Sequence, residues 1–358
     1  MDNILSPQNF VDLMVLPGFC VKEGNVIHVN AAALECMVRE GCNIGSLLHT
    51  GKEAYQEFES GCLYLTLEIC GDLWDATVTR IGDLDVFLLE RSGESGELQA
   101  LALAAAQLRG PLSGISSIAD SLQSLAADAK TEASLALLNQ RLYQLHRLVN
   151  NMSDAVSPSM GSLFGSETVN LCTLVDSLLE KAAVMAEYTG ITLQYSVPSQ
   201  PIFSLCQPQK LERAVWNILS NALKFTPKGG SIEVSLKQKG RQLYLTVTDS
   251  GSGIAQQVQS SLYRRYTRQP GLEDSRYGLG LGMVLIRNAA ASHGGTVLID
   301  QPTGSGTRVT MTMTIRQDTA GTLRTPVMQV DYAGELDHGL IELADVLPPE
   351  LYAPKQIN

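Results

Sequence analysis

Three short segments in the second half of the chain constrain its fold more than any other feature, because they follow one another through alternating helix and strand patterns. The first is Asn217-Ile-Leu-Ser-Asn-Ala222, in which two asparagines are four residues apart. The second is Asp249-Ser-Gly-Ser-Gly253, and the third is Gly278-Leu-Gly-Leu-Gly282. Taken singly, an asparagine pair is usually an exposed part of a helix, and Asp-Ser-Gly is usually a turn. Their ordered combination predicts one α/β domain with an anion-binding loop.

The chemistry of these residues suits a nucleotide. Asn217 and Asn221 share one face of a predicted helix over 209–225, and amide oxygens are hard ligands of the kind that Mg²⁺ accepts. Lys224, one turn further on, offers a point charge to a terminal phosphate. The glycines of the third segment precede a predicted helix over 283–293, whose free N–H groups form an anion site. A dinucleotide-binding fold would need a strand directly before those glycines, and residues 268–276 have no strand pattern.

The ordered set resembles the N, G1 and G2 boxes of the ATP-binding domain of sensor histidine kinases, a domain family that includes gyrase and some chaperones. The resemblance implies ATP and Mg²⁺ as cofactors, with Asn221 as the magnesium ligand and Asp249 as the acceptor of the adenine amino group. It also implies an ATP lid over 255–277, in which either Arg265 or Arg268 closes on the γ-phosphate. The ATP-binding residues predicted in this way are Asn217, Asn221, Lys224, Asp249, Gly251, Gly253, Tyr266, Arg268, Gly278, Leu279, Gly280, Leu281 and Gly282.

An apolar pattern with alternating steps of three and four residues predicts two long helices joined by a polar turn near Asp128. Its members are Leu101, Ala105, Leu108, Leu112, Ile115, Ala119 and Leu122, then Leu135, Leu138, Leu142, Leu145, Val149 and Met152. Such helices form an antiparallel hairpin. One hairpin cannot bury both sides of its seams, so we expect a homodimer through residues 97–155, paired as a four-helix bundle. The hairpin resembles the dimerisation and phosphotransfer hairpin of the kinases, although a plain coiled-coil dimer has the same periodicity.

The first helix carries Ala106-Gln-Leu-Arg-Gly-Pro-Leu112 where the kinase family has His-Glu-Leu-Arg-Thr-Pro-Leu. Phosphoryl transfer to histidine needs an imidazole and a neighbouring carboxylate that orients it and takes its proton. Ala106 is no nucleophile, and Gln107 is no base. Gly110 replaces the threonine or asparagine that the family uses to position water. The resemblance therefore predicts a degenerate acceptor segment, and no catalytic residue is assigned in it.

The first 92 residues predict a small α+β domain. A hairpin pattern over 19–30 is followed by a short helical run and by strand patterns over 62–69, 73–80 and 84–90. This succession of hairpin, short helices and three-stranded meander resembles a PAS sensor domain. A small α+β dimerisation domain is the alternative.

Charge and hydropathy disfavour two classes of partner. The net charge of -11 argues against nucleic acid, since phosphate contacts need clustered Lys and Arg. No apolar run approaches the roughly 20 residues that span a bilayer, so we expect a cytoplasmic protein without a membrane span. The acidic, proline-containing tail over 316–358 predicts disorder, with 340–346 as a short segment suited to docking on a partner or on the chain itself.

The predicted fold class is multidomain α+β. It comprises a PAS-like domain over 1–92, a helical hairpin over 93–157, an α/β-sandwich ATP-binding domain of the histidine kinase/gyrase type over 158–315, and the tail over 316–358. The predicted function is that of an ATP-binding, histidine-kinase-like protein of two-component or phosphorelay signalling. It would not autophosphorylate at position 106, and its partners would be a response regulator or a complete histidine kinase. Two alternatives stay open: a kinase acting in trans on a partner's histidine, serine or threonine, and a non-catalytic PAS sensor or scaffold.

Overall fold

The computed structural model describes residues 7–91, 96–123, 128–154, 166–253, 281–302, 305–316 and 336–353. The described helices are α1 Pro7–Asp12, α2 Ala31–Glu35, α3 Ile44–Leu47, α4 Lys52–Gln56, α5 Gly96–Gln123, α6 Ala129–Asp154, α7 Leu171–Thr189, α8 Pro208–Phe225, α9 Leu281–Ser292 and α10 His338–Glu342, with a 3₁₀ turn at Pro349–Tyr352. The strands are β1 Gly18–Lys22, β2 Asn25–Val29, β3 Cys62–Ile69, β4 Asp72–Ile81, β5 Leu84–Arg91, β6 Glu167–Asn170, β7 Thr192–Ser196, β8 Phe203–Cys206, β9 Ser231–Lys239, β10 Gln242–Asp249, β11 Val297–Asp300 and β12 Arg308–Thr314.

The N-terminal domain is a five-stranded antiparallel sheet in the order β2-β1-β5-β4-β3, with α2, α3 and α4 between β2 and β3. The predicted hairpin and meander are both present, within one or two residues of their expected bounds. Glu23 and Gly24 at the hairpin turn have positive φ angles of 49° and 77°, the conformation of a type I′ turn, whose twist suits two antiparallel strands. In the core, the rings of Phe19 and Phe87 stack at 4.8 Å.

Helices α5 and α6 form the predicted hairpin. Ala105, Leu112 and Ala119 of α5 pack in one cluster with Leu142 and Val149 of α6. The other half of the apolar seam stays exposed within a single chain, at Leu108, Ile115, Leu122, Leu138 and Leu145. Across the described ranges, no helix combines the length and the apolar character that crossing a membrane requires.

The C-terminal domain is a mixed sheet in the order β11-β12-β10-β9-β7 with α7, α8 and α9 packed against it. Strand patterns over 191–197, 232–237, 243–248 and 307–315 predict β7, β9, β10 and β12, and the helix patterns over 209–225 and 283–293 predict α8 and α9. The elements α7, β6, β8 and β11 were not predicted from the sequence. The side chain of His293 lies at the end of α9. Its Nε2 accepts the Gln207 N–H at 3.0 Å, and its Nδ1 lies 2.7 Å from the Ala289 carbonyl oxygen. Burial lowers the pKa of His293, so the neutral ring fixes the start of α8 to the end of α9.

The two sheets join into one sheet of ten strands. Strand β3 of the N-terminal domain pairs antiparallel with β11 of the C-terminal domain, with Tyr64 opposite Val297 and Cys62 opposite Ile299. Beside this junction, the guanidinium of Arg287 on α9 lies 4.5 Å from the ring centre of Tyr64, within the range of a cation–π contact. The N-terminal domain therefore contacts both the edge strand and a helix of the C-terminal domain.

Part of the tail differs from the predicted disorder. Residues 336–353 contain α10 and the 3₁₀ turn, and they pack against α6, α7 and α8. Ile341, Leu343 and Tyr352 are fully buried in the main hydrophobic core. The expectation of disorder is wrong for this segment because its apolar residues complete that core. Of the two docking alternatives that the sequence left open for 340–346, the segment docks on its own chain.

Candidate nucleotide-binding site

Helix α8 carries the two asparagines of the first motif. Asn217 is 1% exposed, and its Nδ2 donates to the Arg213 carbonyl oxygen at 2.8 Å. This bond orients the amide, so that Oδ1 faces the start of α9. Asn221 lies one turn further along the same face and is partly exposed. The side chain of Asn221 makes no hydrogen bond with the part of the chain that the structure describes, so its amide oxygen is available to a ligand. Lys224, in the last turn, is also partly exposed.

Asp249 ends β10 with its carboxylate turned toward the core side of the sheet, where Ile232 is its register partner. Oδ1 accepts the N–H of Gly251 at 2.8 Å and the N–H of Thr307 at 3.1 Å. Burial raises the pKa of this carboxyl group, and the two backbone donors oppose that effect. The carboxylate is therefore fixed in orientation before any ligand binds. The role of Thr307 in holding Asp249 was not predicted from the sequence.

Two glycines of the motifs lie where no side chain fits. A Cβ at Gly251 would come within 2.4 Å of the Phe225 carbonyl oxygen at the end of α8. A Cβ at Gly282 would come within 2.9 Å of Asn217 Oδ1. Helix α8 thus contacts both of the other motifs, the third through Asn217 of the first motif and the second through Phe225 at the end of the helix. Gly253 has a φ of 72°, in the left-handed region that favours glycine.

Several predicted site residues lie outside the described residues. These are the lid residues Arg265, Tyr266 and Arg268 and the glycine-loop residues Gly278, Leu279 and Gly280. Their assignment remains a prediction. Leu281, the last loop residue before Gly282, begins α9 and is buried against the hairpin together with Val284.

The acceptor segment lies on the exposed surface of α5. Ala106, Gln107 and Gly110 are all exposed, and a Cβ at Gly110 would meet nothing within 4 Å. His146 on α6 is a poor substitute for the missing histidine, because its Nε2 lies 3.1 Å from the Ser116 hydroxyl on α5 and is engaged between the two helices. Burial lowers the pKa of the ring. His146 therefore links the two helices of the hairpin.

Comparison with known proteins gives this geometry a family context. Residues 206–317 match the family described as histidine kinase-, DNA gyrase B-, and HSP90-like ATPase. These residues form a domain of that ATPase family. The matched range begins just before α8 and ends just after β12, and it contains all three motifs.

Over alignments longer than this domain, the chain is similar to sensor histidine kinases. It is 26% identical to the sensor-like histidine kinase SenX3 of Mycobacterium tuberculosis over 214 residues, 58% of this chain and 51% of that protein. It is 27% identical to the adaptive-response sensory kinase SasA of Synechocystis over 227 residues, 61% of this chain and 59% of that kinase. The crystal structure of full-length ShkA in complex with AMPPNP has the same fold over 62% of this chain and 46% of that one, with a TM-score of 0.50 and 20% identity. The chain spans little more than half the length of SenX3 and of SasA.

Proposed function

We propose that the chain is an ATP-binding, histidine-kinase-like protein of two-component signalling that does not phosphorylate itself at position 106. One observation carries the proposal: helix α8, which holds the first motif, lies against Gly251 and Gly282 of the other two motifs, while the exposed acceptor position holds Ala106. A methyl group has no lone pair to attack a phosphorus atom, and the amide of Gln107 has no useful basicity.

Different residues of the site contact the base and the phosphates of the nucleotide. The Asp249 carboxylate accepts the N–H of the adenine amino group, and a guanine base would present a carbonyl oxygen there instead, so ATP is preferred to GTP. The N-terminal turn of α9 offers backbone N–H groups to the phosphates. Lys224 adds a point charge near the terminal phosphate.

Asn221 is the residue that would hold Mg²⁺. Its amide oxygen is partly exposed and makes no hydrogen bond within the described residues, and a hard oxygen donor of this kind fits the ion. Bound Mg²⁺ would supply neutralisation of the phosphate charge. Asn217 acts differently: its Nδ2 donates to the Arg213 carbonyl oxygen, and its Oδ1 lies beside Gly282, so it keeps α8 and the start of α9 in register.

The N-terminal domain is proposed to be a PAS-type sensor. Its strand order and its short helices between the second and third strands support this assignment. Because β3 pairs with β11 and Tyr64 stacks on Arg287, a change in the sensor sheet would reach α9, the helix that begins at the phosphate loop.

The hairpin is proposed to pair with a second copy. One face of α5 stays exposed in the single chain. It carries Leu108, Ile115 and Leu122, which are spaced by seven residues and are 48%, 48% and 40% exposed. Leu112 and Ala119, which lie between them in the sequence, are buried against α6. Two hairpins joined along these exposed seams form a four-helix bundle that buries both sides.

Ile115→Asp is expected to convert the dimer to a monomer, because it places an unpaired charge in the centre of the buried seam. Light scattering at matched concentrations measures this. Leu103→Asp is the matched control, because Leu103 is 70% exposed and lies on another face of α5. A monomeric unaltered protein, or an Ile115→Asp dimer, would contradict the proposal.

The function classes are separated by adding γ-labelled ATP and a candidate partner. If the chain donates in trans to the histidine of a complete histidine kinase, the partner acquires an acid-labile label that requires Asp249. An acid-stable label indicates a serine or threonine acceptor. Full ATP binding with no label on any partner supports the non-catalytic sensor or scaffold and contradicts the kinase role.

A further inference from the structure

We propose that residues 336–353, which we call the strap, hold the ATPase domain against the helical hairpin, and that their release frees the domain to move. The strap contacts both parts at once: α10 packs on α6 of the hairpin and on α8 of the ATPase domain. The docking is a contact seen in the structure itself, whereas its regulatory meaning rests on the proposed function.

A buried carboxylate forms the centre of this contact. The side chain of Glu342 is 0% exposed and accepts from two arginines of different elements. Its Oε2 lies 3.2 Å from Nε of Arg147 on α6, and its Oε1 lies 3.2 Å from Nε of Arg213 on α8. Arg147 also donates to Asp345 at 2.7 Å. A buried charge is tolerated only with such partners. Glu342 of the strap, Arg147 of the hairpin and Arg213 of the ATPase domain therefore hold the three parts together.

Arg213 extends this arrangement into the hairpin and toward the nucleotide. Its guanidinium donates to the Asn150 carbonyl oxygen, the Asn151 side chain and the Asp154 carboxylate at the end of α6. Its own carbonyl accepts from Asn217 of the nucleotide site. The residue that anchors the strap is therefore one helical turn from the residue that aligns α8 with the phosphate loop.

Three side-chain amides of α6 also donate hydrogen bonds to backbone carbonyl oxygens of the strap. Asn139 donates to the Tyr352 carbonyl oxygen at 3.0 Å, and Gln140 donates to the Leu347 carbonyl oxygen at 2.7 Å. Gln144 donates to the Ala344 carbonyl oxygen at 3.0 Å. These amides replace the water that the strap carbonyls would otherwise bind, so the contact is specific as well as apolar.

The strap leaves the dimer seam accessible. At 100° per residue, Arg147 lies about 160° around α6 from Leu145, an exposed member of that seam. The strap and a second hairpin therefore occupy nearly opposite faces of α6. Release of the strap changes the freedom of the ATPase domain without dissolving the proposed dimer.

The test compares hydrogen exchange in three full-length variants. Glu342→Gln removes the shared charge and is expected to speed amide exchange within the strap by about tenfold or more, since hydrogen bonds to charged groups are lost. Glu350→Gln is the matched control: it removes the same charge from an exposed position of the same segment and should leave exchange unchanged. Gln140→Leu loosens the strap from the hairpin side and should speed exchange around residues 344–347 even if Glu342→Gln folds poorly. Unchanged strap exchange in Glu342→Gln or Gln140→Leu would overturn the proposal.

The effect of strap release on the movement of the ATPase domain is measured separately, by phosphoryl labelling. In a protein that carries Ala106→His and Gln107→Glu, Glu342→Gln is expected to raise the rate of acid-labile labelling from γ-labelled ATP, because the ATPase domain must leave its docked position to reach the acceptor. Faster strap exchange with no rise in labelling would overturn the regulatory role while keeping the contact. Absence of any label in both proteins, despite faster exchange, would count against the proposed catalytic competence rather than the strap.

Discussion

Replacing Asp249 by asparagine is expected to lower the affinity for Mg·ATP by about 100-fold, because a charge-assisted hydrogen bond is lost and a donor faces a donor. The N–H groups of Gly251 and Thr307 both point at Oδ1. They will retain the amide oxygen of the asparagine at that position. The amide NH₂ then takes the place of the other carboxylate oxygen and opposes the amino group of adenine.

Calorimetric titration with a non-hydrolysable ATP analogue measures this loss. Glu233→Gln is the matched control: Glu233 lies on the neighbouring strand β9, is exposed, and faces away from Asp249. It removes the same charge without touching the site. An affinity that Asp249→Asn leaves unchanged would show that adenine does not bind at this carboxylate.

The second large effect concerns the acceptor. Ala106→His combined with Gln107→Glu is expected to produce an acid-labile phosphoryl label, whereas Ala106→His alone gives none that an ordinary assay detects. A missing general base typically costs about 10²–10⁴-fold in rate, and Gln107 cannot orient or deprotonate the new imidazole. Both positions are exposed on α5, so the larger side chains fit without disturbing the hairpin core.

Labelling from γ-labelled ATP, followed by acid treatment, reports the result. Adding Asp249→Asn to the double variant should abolish the label, which ties it to this nucleotide site. Equal labelling of the single and double variants would contradict the role given to Gln107. If the double variant binds ATP but stays unlabelled even after Glu342→Gln, the domain does not reach its own bundle, and a regulatory role is favoured over a catalytic one.

Much of the fold could be predicted, because the patterns that indicate helices, strands and turns depend on residues close together in the sequence. The seven-residue spacing of Ala105, Leu112 and Ala119 defines one face of α5, and that face is buried. The Glu23-Gly24 turn predicts the first hairpin through its backbone preference. At the site, Asn217 meets Gly282 and the end of α8 meets Gly251, as the ordered motifs suggest.

Contacts between distant segments were not predictable in this way. The pairing of β3 with β11 joins residues that have no shared pattern, since any edge strand offers the same backbone groups. Glu342 looks like one acidic residue among many in the tail, and its burial depends on Arg147 and Arg213 being brought to one place by tertiary structure. Thr307 supports Asp249 through its backbone N–H, which no side-chain motif encodes.

The central claim is that the unaltered protein binds ATP and does not transfer its phosphoryl group to itself. The most direct measurement incubates the purified protein with γ-labelled Mg·ATP and counts the retained label twice, first in the native state and then after denaturation. With Mg·ATP just above the concentration that saturates the unaltered protein, we expect about one label per chain in its native state, far less in Asp249→Asn, and none after denaturation of either protein. No retention by the native protein would contradict the nucleotide site. Label that survives denaturation would contradict the loss of the acceptor, and His146 would be the first residue to replace.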